Sequence, residues 1–345
     1  MTAPAQVPAV APVPAATTTV QANHIAVLDG WRAVSIIFVL VGHWMPIPRI
    51  LQANHMIAAS GMALFFTLSG FLITRLLLKD QRIVPFLIRR LFRILPLAWA
   101  AMAVLLIWHG ASSETALRNL LFTSNLPPAA LMSGGAHLWS LCVEMHFYLG
   151  VALLVALTGR RGLYLLPLFC AGFTALRIID GEVISIVTWH RVDEILVGAC
   201  LALVLNKFPV ESFKEKINPW ACVGAGFMLL AAAHPESGPL QYLRPYFAAA
   251  TVGLSLYALP ELLRWALCSK PAKYVAQTSY ALYVWHGPLG HTFLGGEESS
   301  KLVQYALRPV LLAVTFLAAH ISTFYFEARF TAWGKRIANG IGNKP

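Results

Sequence analysis

The sequence has few charged residues for its length. Of its 345 residues, 12% are Asp, Glu, Lys or Arg, whereas soluble domains carry about 25%. Hydrophobic residues make up 58% of the chain. They occur in blocks of roughly 17 to 25, long enough to cross a hydrocarbon core about 30 Å thick. This composition excludes an ordinary soluble domain and predicts an all-α, polytopic integral membrane protein.

Several motifs that would indicate other functions are missing. The chain has no H-E-x-x-H, Walker A or G-x-G-x-x-G pattern, so neither a metal site nor a nucleotide-binding domain is predicted. Its five cysteines lie in or beside apolar blocks without a C-x-x-C pair, which indicates small core residues rather than disulfides. The first apolar block follows no basic n-region or cleavage site, so we interpret it as a retained span.

The hydrophobic blocks predict ten transmembrane helices. Residues 1–22 are Ala, Pro, Thr and Val without charge and are expected to be extended or disordered. The transmembrane domain is predicted over 23–334, with a cytoplasmic tail over 335–345. The connection 109–136 is long enough for a short helix at the interface. The approximate spans are 27–46, 56–78, 87–108, 137–157, 162–179, 190–206, 217–234, 243–263, 276–294 and 303–327.

The net charge of +11 follows the predicted topology. Under the positive-inside rule the side richer in Lys and Arg, which includes both termini, is cytoplasmic. A nucleic-acid partner is therefore not needed to explain the charge. The richer side contains Lys79, Arg82, Arg89, Arg90, Arg93, Arg160, Arg161, Lys207, Lys214, Lys216, Arg264, Lys270, Lys273, Arg329, Lys335, Arg336 and Lys344. The opposite loops contain only Arg49, Arg118, Arg191, Arg244, Lys301 and Arg308.

The first span, LDGWRAVSIIFVLVGHW, contains Arg32 and His43 eleven residues apart. This spacing is a rise of about 16 Å and comes within roughly 20° of three full turns, so both side chains share one helix face at opposite depths. For Arg32 the alternative is snorkelling to the interface and pairing with Asp29. An intramembrane histidine is a functional candidate, because it can act as a general base toward a hydroxyl.

The distance between Arg32 and His43 suits a long ligand with a different chemical group at each end. An arginine can bind a phosphate through its planar fork. A ligand with phosphates at one end and a reactive group about 15–20 Å away would span Arg32 and His43. Coenzyme A thioesters have that shape.

Further polar residues interrupt the next three blocks. Ser69 and Arg75 lie on the second helix and are predicted to bind the donor, although Ser-Gly more often permits close helix packing. Arg90 and Arg93 belong to a basic cluster that predicts either a phosphate-binding rim or plain positive-inside anchoring. Glu144 is predicted to lie at the depth of His43 and to orient it, as the carboxylate of a catalytic triad does. Its alternatives are a structural pair with Arg191 or a neutral, backbone-bonded carboxyl.

Two more groups are candidates for ligand contacts. Trp139, Arg191 and Asp193 could contact a polar acceptor such as a sugar, although acidic residues at a helix start are more often a solvated N-terminus. Tyr280 and His286 lie within two turns of the ninth helix. We predict that both line the path of the donor.

Five blocks together resemble the membrane acyltransferase 3 family. LDGWRA followed by His43 is similar to its R-x10-H signature, and the other blocks follow in the family's order. FYFEARF resembles the closing segment, with Ala328 where a proline is common. The resemblance covers about residues 24–330. The remaining blocks are FFTLSGFLITR, RRLFRILPLAW, WSLCVEMHFY and TSYALYVWHGPL.

The resemblance implies a ten-helix enzyme of the bacterial inner (cytoplasmic) membrane. It would move an acyl group, most simply acetyl, from cytoplasmic acyl-CoA to a saccharide hydroxyl of an envelope or exported polysaccharide or its lipid-linked precursor. His43 matches the family's essential histidine and Arg32 its arginine. Glu144 matches the WSL-x-x-E carboxylate, and the basic block supplies Arg90 and Arg93.

Two other functions stay open from the sequence. One is acylation of a small secondary metabolite or lipid. The other is a transporter or flippase of a polar metabolite, because buried charges also mark transport paths. The acyl group, the acceptor and the oligomeric state are not determined by the residues.

Overall fold

The computed structural model describes residues 15–45, 47, 52–213, 215–296 and 300–342. Within this part of the chain the structure is all-helical, without strands. A six-residue π-helical segment, Ser322–Glu327, joins the last two helices. The α-helices are α1 Ala15–Trp44, α2 Ala53–Lys79, α3 Ile83–His109, α4 Ser113–Leu120, α5 Trp139–Thr158, α6 Leu166–Ile179, α7 Asp193–Lys207, α8 Ala221–Ala233, α9 Arg244–Tyr257, α10 Glu261–Leu267, α11 Lys270–Gly290, α12 Lys301–Ile321 and α13 Ala328–Gly342.

Each of the ten predicted spans overlaps at least one helix, but fewer helices are long and apolar enough to cross a bilayer. Five candidates meet both criteria among the described residues, and a sixth would combine α9 with α10, which are bent by 103°. The chain is therefore a multi-pass, all-helical protein, and the predicted count of ten is not confirmed. The five are Ala26–Trp44, Ala53–Lys79, Ile83–His109, Ala136–Ile179 and Lys301–Ile341.

The lower number has a physical cause in helix length. α7 and α8 contain 15 and 13 residues. At 1.5 Å per residue they are about 20–23 Å long, shorter than a hydrocarbon core of about 30 Å. α6 is counted together with α5 in the single candidate Ala136–Ile179. α11 has 21 residues, but polar side chains such as Gln277, Ser279 and His286 make it less apolar than the candidate spans.

Both predicted terminal boundaries differ from the structure. α1 begins at Ala15, so residues 15–22 are helical rather than extended; residues 1–14 lie outside the described part. No proline follows Pro14 in this segment, so no residue between 15 and 22 interrupts a helix. Extending an existing helix also costs less free energy than nucleating a new one. α13 continues to Gly342, so residues 335–342 extend the last helix, and their cytoplasmic location stays a prediction; residues 343–345 lie outside the described part. The short helix expected within 109–136 is confirmed as α4.

α2 is central to the packing. It contacts α1 on one side and α7 on the other, while α11 packs on α1. Glycines bring α2 and α7 together, because a Cβ added to Gly70 would lie 1.8 Å from the carbonyl oxygen of Ile195. A Cβ on Gly198 would lie 2.0 Å from that of Thr67. Close backbone approach at small residues is typical of membrane helices, so the packing interpretation of the Ser-Gly pair holds for Gly70.

Candidate active site

Two of the cavities between the described helices contain polar side chains of different chemistry. The first, of about 510 Å³, we call the histidine cavity; its polar and aromatic lining includes His43, Trp44, His137, Trp139, His286 and His291. The second, of about 280 Å³, we call the arginine cavity. It is lined by residues that include Arg32, Ser69, Arg90, Arg93, Glu144, Tyr148 and Tyr280.

The same helices contribute to both cavities at different heights. α1 places His43 in the histidine cavity and Arg32 in the arginine cavity. α11 runs in the same direction as α1 and contributes Tyr280 to the arginine cavity and His286 to the histidine cavity. Eleven residues of α1 correspond to a rise of about 16 Å. The expected face shared by Arg32 and His43 therefore connects two separate chambers.

His43 has a histidine as its partner. Its Nδ1 lies 2.9 Å from Nε2 of His286, and the two rings are inclined by only 13°. Nδ1 of His286 lies 2.6 Å from the carbonyl oxygen of Tyr283. The ring of His137 packs edge-on against His286 at 4.4 Å between centroids. The structure pairs His286 with His43, and its place along the donor path stays a prediction.

Glu144 lies in the arginine cavity, away from His43. The hydroxyl of Tyr148 donates to its Oε1 at 2.5 Å, and the hydroxyl of Ser69 donates to the same oxygen. The predicted contact between Glu144 and His43 was therefore wrong. The two residues lie at different depths. Glu144 is seven residues beyond His137, which lines the histidine cavity, and this separation is about 10 Å along the helix axis.

The arginines that line the arginine cavity also have neighbours outside it. Arg32 lies 3.5 Å from Asp29 and also lines the cavity, so its two interpretations coexist. Arg90 and Arg93 belong both to the arginine cavity and to a smaller one of about 160 Å³. Arg75 is not among the described residues that line the arginine cavity or the smaller cavity. Its predicted role in donor binding receives no geometric support.

The smaller cavity shares Arg90 and Arg93 with the arginine cavity, and we call it the basic mouth. It contains Arg82, Arg89 and Lys335 together with Asp80. Hydrogen bonds from Arg82 lower the pKa of Asp80 to about 2, so this carboxylate is ionised at neutral pH. The five cations that line this cavity, which are Arg82, Arg89, Arg90, Arg93 and Lys335, leave an excess of positive charge over the single carboxylate of Asp80.

Two stacked aromatic rings lie between a lining residue of the arginine cavity and one of the histidine cavity. Phe65 lines the arginine cavity and stacks on Tyr283 at 5.9 Å, with 10° between the ring planes. Tyr283 in turn packs against His286 at 5.4 Å. Its hydroxyl lies 2.6 Å from that of Ser140.

The charges at the start of α7 are buried in an ion-pair cluster. Arg177 lies 3.0 Å from Asp193, and Glu194 lies 3.5 Å from Arg191 and 2.8 Å from Arg244. All five side chains are at most 3% exposed, so the solvated N-terminus considered as an alternative was wrong. The cluster connects α6, α7 and α9. Acceptor binding by Arg191 or Asp193 stays a prediction.

Trp139 lines the histidine cavity, and the guanidinium of Arg191 lies over its ring at 5.3 Å. The sequence interpretation missed Tyr148, although its spacing of four residues from Glu144 placed both on one helix face. It also missed His137, which only the fold brings to His286. Among the described residues, no group of three or more His, Cys, Asp or Glu side chains could hold a metal ion.

The long apolar helices and the polar interior define a multi-pass membrane protein. Residues 25–333 match the acyltransferase 3 family model, which describes an acyltransferase domain. The chain therefore belongs to this family.

Similar proteins include bacterial O-acetyltransferases. The peptidoglycan O-acetyltransferase OatA of Listeria monocytogenes is 27% identical over 322 residues, 79% of this chain and 50% of the relative. The O-acetyltransferase OatA of Staphylococcus aureus is 24% identical, with 87% and 56% covered. The chain thus spans about half the length of these two proteins.

A third similar protein has a more comparable length. The putative membrane-bound transacylase BcsY of Komagataeibacter xylinus is 26% identical over 76% of this chain and 72% of its own. No solved structure matches the chain.

Proposed function

We propose that this protein is an O-acyltransferase that moves an acyl group, most simply acetyl, from acyl-CoA to a hydroxyl of an envelope or exported polysaccharide or its lipid-linked precursor. Membership of the acyltransferase 3 family supports the reaction class. The names of the similar O-acetyltransferases support the acetyl group and a glycan acceptor. The carrying observation is that α1 joins an arginine cavity to a histidine cavity.

The arginine cavity suits the phosphates of the donor. Arg32, Arg90 and Arg93 present three guanidinium groups to one space, whose only carboxylate among the described lining residues is Glu144. Guanidinium forks bind phosphate oxygens through pairs of charge-assisted hydrogen bonds. Glu144, held by Ser69 and Tyr148, would then limit the excess positive charge when the cavity is empty.

His43 would be the general base in the histidine cavity. It takes the proton of the acceptor hydroxyl as the oxygen attacks the thioester carbonyl. The new C–O bond replaces the C–S bond, and the departing thiolate receives the proton from His43. The products are an ester and coenzyme A with a free thiol. The pantetheine arm would reach His43 past Phe65 and Tyr283.

The proposed orientation places the arginine cavity on the cytoplasmic side, where acyl-CoA is available. Its basic mouth, with Arg82, Arg89 and Lys335, fits the positive-inside rule. We propose ten membrane passages with both termini inside, in the bacterial cytoplasmic membrane. α6, α7 and α8 would then cross as short helices in contact with their neighbours.

The test is transfer of radiolabelled acetyl from acetyl-CoA to surface polysaccharide, using membranes from cells that carry wild-type protein or His43→Ala. Removing a general base should lower the rate about 10²- to 10⁴-fold, with equal amounts of protein in the membrane. His146→Ala is the matched control, because this histidine bonds Thr188 and lines neither cavity. Normal acetylation by His43→Ala would overturn the mechanism.

The same assay separates an acyltransferase from a transporter. The enzyme should release free coenzyme A only when an acceptor polysaccharide is present. Release without acceptor, or none in its presence, would contradict the proposed activity. NMR of the surface polysaccharide, with and without the protein, would identify the acylated hydroxyl through its lost acyl signals.

A further inference from the structure

The contact between His286 and the backbone determines where its proton lies. Nδ1 of His286 is 2.6 Å from the carbonyl oxygen of Tyr283. A carbonyl oxygen can only accept a hydrogen bond, so Nδ1 must carry the hydrogen. In the neutral ring the other nitrogen, Nε2, is then an acceptor. His286 is 2% exposed, and a buried uncompensated imidazolium would be costly.

The same reasoning extends to His43. Its Nδ1 lies 2.9 Å from Nε2 of His286. Since Nε2 of His286 accepts, Nδ1 of His43 must donate, and its own Nε2 keeps a free lone pair. We propose that His286 is a positioning residue that holds His43 in the Nδ1–H tautomer and thereby makes Nε2 of His43 the base. The catalytic part of this proposal rests on the proposed function.

The arrangement is a short relay of hydrogen bonds that ends at the main chain. His43 donates to His286, and His286 donates to Tyr283. When His43 gains a proton at Nε2, its Nδ1–H keeps an acceptor that is already aligned. A second histidine thus takes the orienting position that an aspartate holds in a serine-hydrolase triad. No buried carboxylate is required, which agrees with the location of Glu144 in the other cavity.

The surroundings keep the pair in this geometry. The ring of His137 packs edge-on against His286, and its Nε2 lies 3.3 Å from the carbonyl oxygen of Val284. Trp44 packs against His286 from another side at 6.1 Å. Because α11 supplies both carbonyl oxygens, the backbone of this helix directs the protons of His137 and His286.

Ring nitrogen shifts measure the tautomer directly. The full chain in lipid nanodiscs, with ring-¹⁵N histidine, would be studied by NMR, and the signals of His43 assigned by their loss in His43→Gln. We expect a protonated Nδ1 and an unprotonated Nε2 in the wild type. In His286→Leu the His43 signals should change to the Nε2–H form. A wild-type His43 in the Nε2–H form, or no change in His286→Leu, would overturn the proposal.

A conservative variant separates positioning from structure. In His286→Gln the amide oxygen can accept from Nδ1 of His43, so the Nδ1–H signal should remain. With acetyl-CoA as donor, His286→Leu should lower kcat at least about 10²-fold without changing the donor KM. His286→Gln should recover most of that rate, and His146→Leu is the control.

Equal activity of the Leu and Gln variants would contradict the positioning role. The NMR and kinetic results also fail separately. If no acyl transfer occurs in any variant but the tautomer behaves as expected, only the proposed function is wrong. If acyl transfer depends on His43 but its tautomer is independent of His286, only this inference is wrong.

Discussion

Gly198→Ala should separate α2 from α7 and destabilise the protein. The new Cβ would lie 2.0 Å from the main-chain oxygen of Thr67, so the helices must move apart by more than 1 Å to reach ordinary contact at 3.4 Å. Overpacking costs about 1–3 kcal/mol, and a main-chain obstacle favours the upper end. Alanine's better helix propensity returns about 1 kcal/mol. We therefore expect a net loss of about 2 kcal/mol.

Thermal unfolding in detergent, followed by tryptophan fluorescence, measures this loss as a lower Tm. Gly150→Ala on α5 and Gly224→Ala on α8 are matched controls, since a Cβ on either glycine meets no atom within 4 Å. These variants should be as stable as the wild type or more stable. Because Ser69 lies two residues after Thr67, Gly198→Ala should also weaken donor binding.

The reasoning would be refuted if Gly198→Ala unfolded at the wild-type temperature while its donor KM stayed normal. That result would mean that α2 and α7 do not approach each other as closely as the structure has them. A loss of stability in Gly150→Ala equal to that in Gly198→Ala would be equally damaging. It would show that alanine itself, rather than the interhelical contact, is responsible.

Two further variants test the arginine cavity. Arg90→Gln removes a charge-assisted phosphate contact of about 1.5–3 kcal/mol, so the KM for acetyl-CoA should rise about 10- to 150-fold, whereas exposed Arg160→Gln should leave it unchanged. Glu144→Gln keeps the shape but weakens the hydrogen bonds from Ser69 and Tyr148 by about 1 kcal/mol each, so the Tm should fall while the pH profile of kcat keeps its wild-type form.

These variants have clear contrary results. An unchanged donor KM in Arg90→Gln would remove this arginine from the phosphate site. A pH profile of kcat that shifts in Glu144→Gln would restore the original hypothesis, in which Glu144 acts on His43. Steady-state kinetics at saturating acceptor, with acetyl-CoA varied, measure both quantities.

Much of the helical architecture follows from local sequence. Apolar blocks separated by turns and charges predict helices wherever they occur, because a membrane requires the backbone to satisfy its own hydrogen bonds. The shared face of Arg32 and His43 also follows from helix geometry alone. The ends were less accurate, since the helix at Ala15 and the continuation of α13 to Gly342 depend on helix extension and packing.

The pairing of polar groups required the tertiary structure. Ser69 and Glu144 are 75 residues apart, and His43 and His286 are 243 apart. The helical periodicity of the sequence does not predict contacts between residues so far apart in the chain. The sequence also does not predict that Asp193 is buried with Arg177, because an acidic residue at the start of a helix is usually exposed to solvent.

The sequence by itself determined the class of protein, the family resemblance and the residues that carry chemistry, because composition, helical spacing and motifs are local properties. Only the tertiary structure decided that Glu144 joins the arginines and that His286 joins His43. The physical reason is that two residues on different helices meet only if they lie at the same depth. Their depth depends on how the helices are shifted relative to each other along their axes. That alignment depends on the close contact of helices such as α2 and α7.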